Sequence, residues 1–171
     1  GKGIELTGKT LGIVGFGRIG QKLGKMAKAI GMNVIAFDIF HIPGIEEELG
    51  IPYVEMDELL AKSDFISVHA PAVDGGALIN AERIAKMKDG VVIINTSRGT
   101  NVDEAALLDA LNSGKVRAAG LDVYADEPAT NVALYSHPMV SCTPHIGSAT
   151  VEAQGRIGEE LVEICLLYTS P

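Results

Sequence analysis

Thr10-Leu11-Gly12-Ile13-Val14-Gly15-Phe16-Gly17-Arg18-Ile19-Gly20 is an apolar run that ends in three glycines spaced two and three residues apart. Behind it Ile19, Leu23, Ala27 and Ile30 recur at helical spacing. The segment therefore predicts a buried strand, a tight turn and a helix. Gly15 permits the turn, Gly17 lets the backbone approach a pyrophosphate, and Gly20 lets helix and strand pack closely. Free amides at the helix start, those of Arg18 and Ile19 among them, then face an anion and are helped by the positive end of the helix dipole. A second apolar run, Met32–Asp38, closes on Asp38, 18 residues after Gly20. A carboxylate there accepts hydrogen bonds from both hydroxyls of an adenosine ribose and repels a 2′-phosphate. Ile39-Phe40-His41 follows with no arginine to attract that phosphate. The expected cofactor is NAD, in preference to NADP.

Outward from this segment, strand and helix signals alternate. Strands are predicted at Phe65–His69, Gly90–Thr96, Val116–Val123 and Met139–Thr143, and helices at Met56–Lys62 and Asn80–Met87. Asn101, with an acidic residue three positions on, reads as the cap of a helix reaching about Asn112, which Ser113-Gly114 stops. Val91-Val92-Ile93-Ile94 has no polar interruption, which suits a strand covered on both faces and hence a parallel sheet. The fold class is a doubly wound α/β domain with a parallel, Rossmann-type sheet. Val151–Ile164 reads as a last helix. The expected division is a cofactor-binding domain over residues 1–164, followed by a non-native, adapter-like tail at 165–171 whose pattern breaks from what precedes it. With no initiator Met and a first strand that begins almost at once, the chain reads as a piece of a longer enzyme.

The 171 residues suffice for one cored domain but not for two large ones. A net charge of −8 argues against nucleic acid and anionic membranes as partners, and no apolar run is long enough to span a bilayer. Cys142 and Cys165 give neither a disulfide framework nor metal-ligand spacing, so no metal is expected and a reducing cytoplasm is the expected compartment.

Three further residues suit hydride transfer to a 2-keto acid. His145, in Thr143-Pro144-His145-Ile146-Gly147-Ser148, titrates in the range needed to give the carbonyl oxygen a proton. Glu127 beside it would favour the imidazolium and fix the ring. Arg98, in Asn95-Thr96-Ser97-Arg98-Gly99, can hold a carboxylate by two parallel hydrogen bonds. Each follows a predicted strand, and in a parallel sheet such ends converge on one crevice. His69 is expected to shape the loop against the cofactor, whereas His41 and His137 read as surface loop residues.

These segments, with His69-Ala70-Pro71 and Leu121-Asp122-Val123, resemble the D-isomer-specific 2-hydroxyacid dehydrogenases from Glu5 to about Glu163. The resemblance implies Arg98, Glu127 and His145 as the catalytic set and Asp38 on the adenosine ribose. It further implies Asp122 at the nicotinamide carboxamide, with Gly147 and Ser148 lining the nicotinamide side and Pro71 and Thr96 at the cofactor. Leu59–Ser67, Met87–Gly90 and Thr150–Gln154 are particularly similar to the branch that oxidises D-3-phosphoglycerate with NAD at the entry to serine synthesis. The hydroxypyruvate or glyoxylate reductases are the alternative, and a non-enzymatic NAD(H)-sensing module is another. Family members carry a substrate domain built from both chain ends, most of it missing here, so this piece alone is expected to be nearly inactive. They also dimerise through the nucleotide domain, which implies a homodimer. One departure stands out. Ala72-Val73-Asp74-Gly75-Gly76-Ala77 is shorter than the family's usual turn after Pro71 and lacks its threonine.

Overall fold

The computed structural model describes residues 6–71, 75–97, 99–122 and 131–143. They form a six-stranded sheet in which every neighbouring pair is parallel. The strands are β1 (Thr10–Val14), β2 (Asn33–Phe37), β3 (Phe65–Val68), β4 (Val91–Asn95), β5 (Val116–Asp122) and β6 (Val140–Thr143). Their order across the sheet is β2-β1-β3-β4-β5-β6, so the chain reverses its direction of winding between β1 and β3. The helices are α1 (Arg18–Ala29), α2 (Ile45–Leu49), α3 (Met56–Lys62), α4 (Ala81–Ala85), α5 (Glu104–Ser113) and α6 (Val132–Tyr135).

Parallel crossovers are right-handed, so a reversal of winding direction sends the following helices to the opposite face. The core divides accordingly. Leu23 and Ala27 of α1 and Ile45 of α2 pack with Leu11, Ile13, Val34 and Val92 on one face. On the other, Leu59 and Leu60 of α3, Ile84 of α4, Leu107 and Leu111 of α5 and Leu134 of α6 pack with Val14, Ile66, Val68 and Ile93. The unbroken apolar run in β4 thus feeds both cores by alternation, as a strand covered on both sides must.

β5 shows where period-2 alternation breaks. Val116 lies in one core and Ala118, two residues on, in the other. Val91 pairs with Val116 but Val92 with Ala118, so Arg117 is an extra residue with no counterpart on β4. Such a bulge shifts the register by one and exchanges the faces of everything after it.

One expectation changes. The cap of α5 is Asp103, whose carboxylate accepts from the Ala106 N–H, and not Asn101, which lies in a 3-10 turn at Gly99–Asn101. Asn101 is buried and its amide is committed elsewhere. The short helices α2 and α6 carry no sequence prediction. α2 is a five-residue turn bounded by Gly44 and Gly50, too brief to show a period. The helix expected at Val151–Ile164 lies outside the described residues.

Candidate functional site

The glycine turn sits at the winding reversal, where open α/β sheets hold ligands beyond the carboxyl ends of their strands. Gly15 has φ +94°, and a Cβ there would stand 2.6 Å from the Ala70 nitrogen, in the loop after β3. The His69 N–H donates to the Val14 carbonyl at 2.8 Å, joining the ends of the two strands that flank the reversal. Gly20 is fixed by packing: a Cβ would lie 2.5 Å from the Gly15 carbonyl oxygen. Gly17 differs from both. Its φ of −85° suits any residue, and a Cβ would meet no described atom within 4 Å. Neither backbone nor packing requires a glycine at that position, and the open space beside it leaves room for close approach by an external group.

The helix that begins there is electrostatically unusual. α4, α5 and α6 carry side-chain caps from Asn80, Asp103 and Asn131, and α2 and α3 have acidic first turns. α1 is the one described helix with neither. Its first turn therefore has no side-chain cap and no acidic residue, an arrangement that suits an anion.

Asp38, just past β2, faces this turn. One carboxylate oxygen accepts the Phe16 N–H at 2.7 Å and the other the Phe40 N–H at 3.3 Å. The first bond reaches across from β2 to the glycine turn, and the Gly15 N–H to Phe37 carbonyl bond at 2.9 Å runs beside it. Ile39 and Phe40 are 79% and 78% exposed, so burial does not anchor the stretch that follows Asp38.

On the other side of the reversal His69 lies between two hydroxyls, with Ser67 Oγ 2.7 Å from Nε2 and Thr96 Oγ1 2.9 Å from Nδ1. Removal from water pushes this imidazole down to about 4, so it is neutral at pH 7. A neutral ring has one N–H; one hydroxyl therefore donates to it and the other accepts. Pro71 is exposed at the end of the same loop. A second polar cluster adjoins it. The Asn101 amide donates to the Ala70 carbonyl at 2.7 Å and to Ser97 Oγ at 3.0 Å, and Ser97 Oγ donates to Asn95 Oδ1 at 2.7 Å. This ties the β3 loop to the turn after β4. No local pattern predicts it, because Ala70 lies 31 residues from Asn101.

Gly15, Gly17, Arg18, Ile19, Gly20, Asp38, His69, Pro71 and Thr96 thus gather at one end of the sheet. Asp122 ends β5 at the same edge. Arg98, Glu127, His145, Gly147 and Ser148 lie outside the described residues, as do Ala72 to Asp74 of the shortened turn. His41 is exposed and stacks on Tyr53, with centroids 3.9 Å apart and planes 1° apart. His137 is half-buried, its Nδ1 accepting the Met139 N–H at 3.1 Å. No helix among the described residues is long and apolar enough to cross a membrane.

A glycine turn into an uncapped helix, beside a carboxylate at the end of the next strand, defines a dinucleotide-binding α/β domain, and these residues fit the diphosphate and ribose of NAD. The chain belongs to the D-isomer specific 2-hydroxyacid dehydrogenases, whose NAD binding domain matches residues 1–147. It is 53% identical over 167 residues to a hydroxypyruvate reductase of Thermotoga maritima, covering 95% of this chain and 53% of that protein. Over 162 residues it is 49% identical to a D-3-phosphoglycerate dehydrogenase of Mycobacterium leprae, covering 94% of this chain and 31% of that one. The crystal structure of a glyoxylate reductase from Paecilomyes thermophila superposes with a TM-score of 0.78 at 43% identity, over 94% of this chain and 49% of that one. The chain thus spans about half or less of the length of these relatives.

Proposed function

We propose that this chain is the cofactor-binding part of an NAD-dependent dehydrogenase that interconverts D-3-phosphoglycerate and 3-phosphohydroxypyruvate. One observation carries the catalytic assignment. β4, β5 and β6 are parallel neighbours, and Arg98, Glu127 and His145 follow their carboxyl ends by three, five and two residues. Strand ends on one edge of a parallel sheet open onto one crevice, the crevice that the glycine turn borders.

The amides of Arg18 and Ile19 would hold the diphosphate of NAD, Gly17 would let it approach, and Asp38 would take the adenosine ribose. Asp122, Gly147 and Ser148 would lie on the nicotinamide side. When bound, the dinucleotide supplies or accepts the hydride. Arg98 grips the substrate carboxylate by two parallel hydrogen bonds and orients the neighbouring carbonyl. His145 gives that carbonyl oxygen a proton in reduction and takes one from the hydroxyl in oxidation. Glu127 holds the imidazole and favours its protonated form. His69, neutral between Ser67 and Thr96, is suited to shape the loop rather than to move a proton.

A second reading keeps this mechanism and changes the substrate. The identity to the Thermotoga maritima hydroxypyruvate reductase is 53%, against 49% for the phosphoglycerate dehydrogenase, which supports a non-phosphorylated keto acid. The test is to recover the flanking gene, express the full-length enzyme and follow NADH loss with 3-phosphohydroxypyruvate and with hydroxypyruvate. Preference for the phosphorylated acid supports the first reading; preference for the other moves the protein to the reductase branch. NADH binding without turnover of either would leave a sensing module.

A further inference from the structure

We propose that Tyr53 is a positioning residue for cofactor discrimination: it braces the segment after Asp38 and so holds that carboxylate where a 2′-phosphate would have to sit. This rests on the reading of Asp38 as the ribose-facing group.

Tyr53 is itself firmly placed. It bridges to Ala36 beside β2, and its N–H donates to Glu46 Oε1 at 3.4 Å. The adjoining Val54 N–H to Ala36 carbonyl and Ala36 N–H to Pro52 carbonyl bonds, at 2.8 and 3.0 Å, fix the backbone on both sides. From this base its ring makes three contacts. Its edge meets Phe16 in the glycine turn, with centroids 5.8 Å apart and planes at 85°. Its face carries the His41 ring at 3.9 Å. Its hydroxyl accepts the Ile42 N–H at 3.0 Å.

Phe16 and the 39–42 segment are also the two places that hold Asp38, through the Phe16 and Phe40 N–H groups. Since Ile39 and Phe40 are largely exposed, the segment is held at its far end by His41 and Ile42, both on Tyr53. The phenol is therefore the common anchor of both clamps on the carboxylate. A carboxylate so confined cannot swing away from a phosphate monoester, and the like-charge repulsion is paid in full. Released, it turns aside at little cost, and NADPH is penalised less while NADH loses an ordered acceptor.

The test is equilibrium binding of NADH and NADPH to the chain and to two variants, with folding followed by circular dichroism and melting. Tyr53→Phe keeps both ring contacts and loses the Ile42 hydrogen bond; it should narrow the preference for NADH by about fivefold, the worth of one such bond. Tyr53→Leu loses the stack as well and should narrow it further. Either variant binding both nucleotides more weakly by the same factor would make Tyr53 merely structural and overturn the proposal. NADH binding by the parent chain with an unchanged ratio in folded variants would overturn it while sparing the nucleotide site. Failure of the parent chain to bind either nucleotide would overturn both.

Discussion

Asp38 Oδ2 lies 2.7 Å from the Phe16 nitrogen, so the carboxylate proposed to select the cofactor also fastens the turn proposed to hold its diphosphate. The two duties separate by substitution. Asp38→Asn keeps an acceptor for Phe16 and loses the charge; it should relax discrimination against NADPH while weakening NADH binding modestly. Asp38→Ala loses both and should also lower the melting temperature. Competitive titration with the two nucleotides checks this, and an unchanged ratio in both variants would remove Asp38 from selection.

Gly17 and Gly20 should respond oppositely to the same added methyl. Gly17→Ala, with no described atom within 4 Å of its Cβ, should cost no more than about 1 kcal/mol of stability. Its NADH affinity should nevertheless fall by about tenfold or more, equivalent to about 1.4 kcal/mol. Gly20→Ala drives a methyl against the Gly15 carbonyl oxygen and should cost about 1–3 kcal/mol of stability. Denaturant melts and fluorescence titration of NADH, run on both, decide it.

His69 makes stability depend on pH in a defined window. Its folded pKa is depressed from 6.5 to about 4, so the unfolded chain binds the proton first. Stability due to this group is complete above about pH 6.5 and is lost as pH falls toward 4. The melting temperature should drop between pH 7 and pH 5, and less so in His69→Gln. Asp64 acts lower. Burial opposes its ionisation, but the Lys88 ammonium at 2.7 Å and the Thr10 N–H at 2.9 Å outweigh that and hold its pKa below 3.8. Its contribution therefore disappears only below that value, and Asp64→Asn should leave the window above pH 5 unchanged.

On the proposed pairing of Glu127 with His145, Glu127→Gln in the full-length enzyme should move the pH profile of keto-acid reduction toward lower pH, because the imidazole would lose the charge proposed to favour its protonated form. A profile that stays in place, with activity retained, would take Glu127 out of that role.

The elements legible in the sequence were those whose signal is local. Val91–Ile94 needed no partner to be recognised as a doubly covered strand, and the glycine spacing from Gly15 to Gly20 states its own turn. What escaped depends on distant contacts. Asn101 has the residue type and spacing of a helix cap, yet its amide is held by Ala70 and Ser97. Tyr53 has no local signal of its role, which exists only through its contacts with Phe16, His41 and Ile42. The bulge at Arg117 likewise exists only relative to β4. The proposed site was legible on its cofactor side, where Gly15, Gly17, Asp38 and His69 come together at one edge.

The Asn101 amide has one last consequence, in the time domain. A single side chain, 1% exposed, bridges the Ala70 carbonyl and the Ser97 hydroxyl. Neither the loop beside the glycine turn nor the turn that leads into Arg98 can open without breaking it. Backbone amides on the two sides should then exchange with solvent through one shared fluctuation, and not as two independently fraying loops.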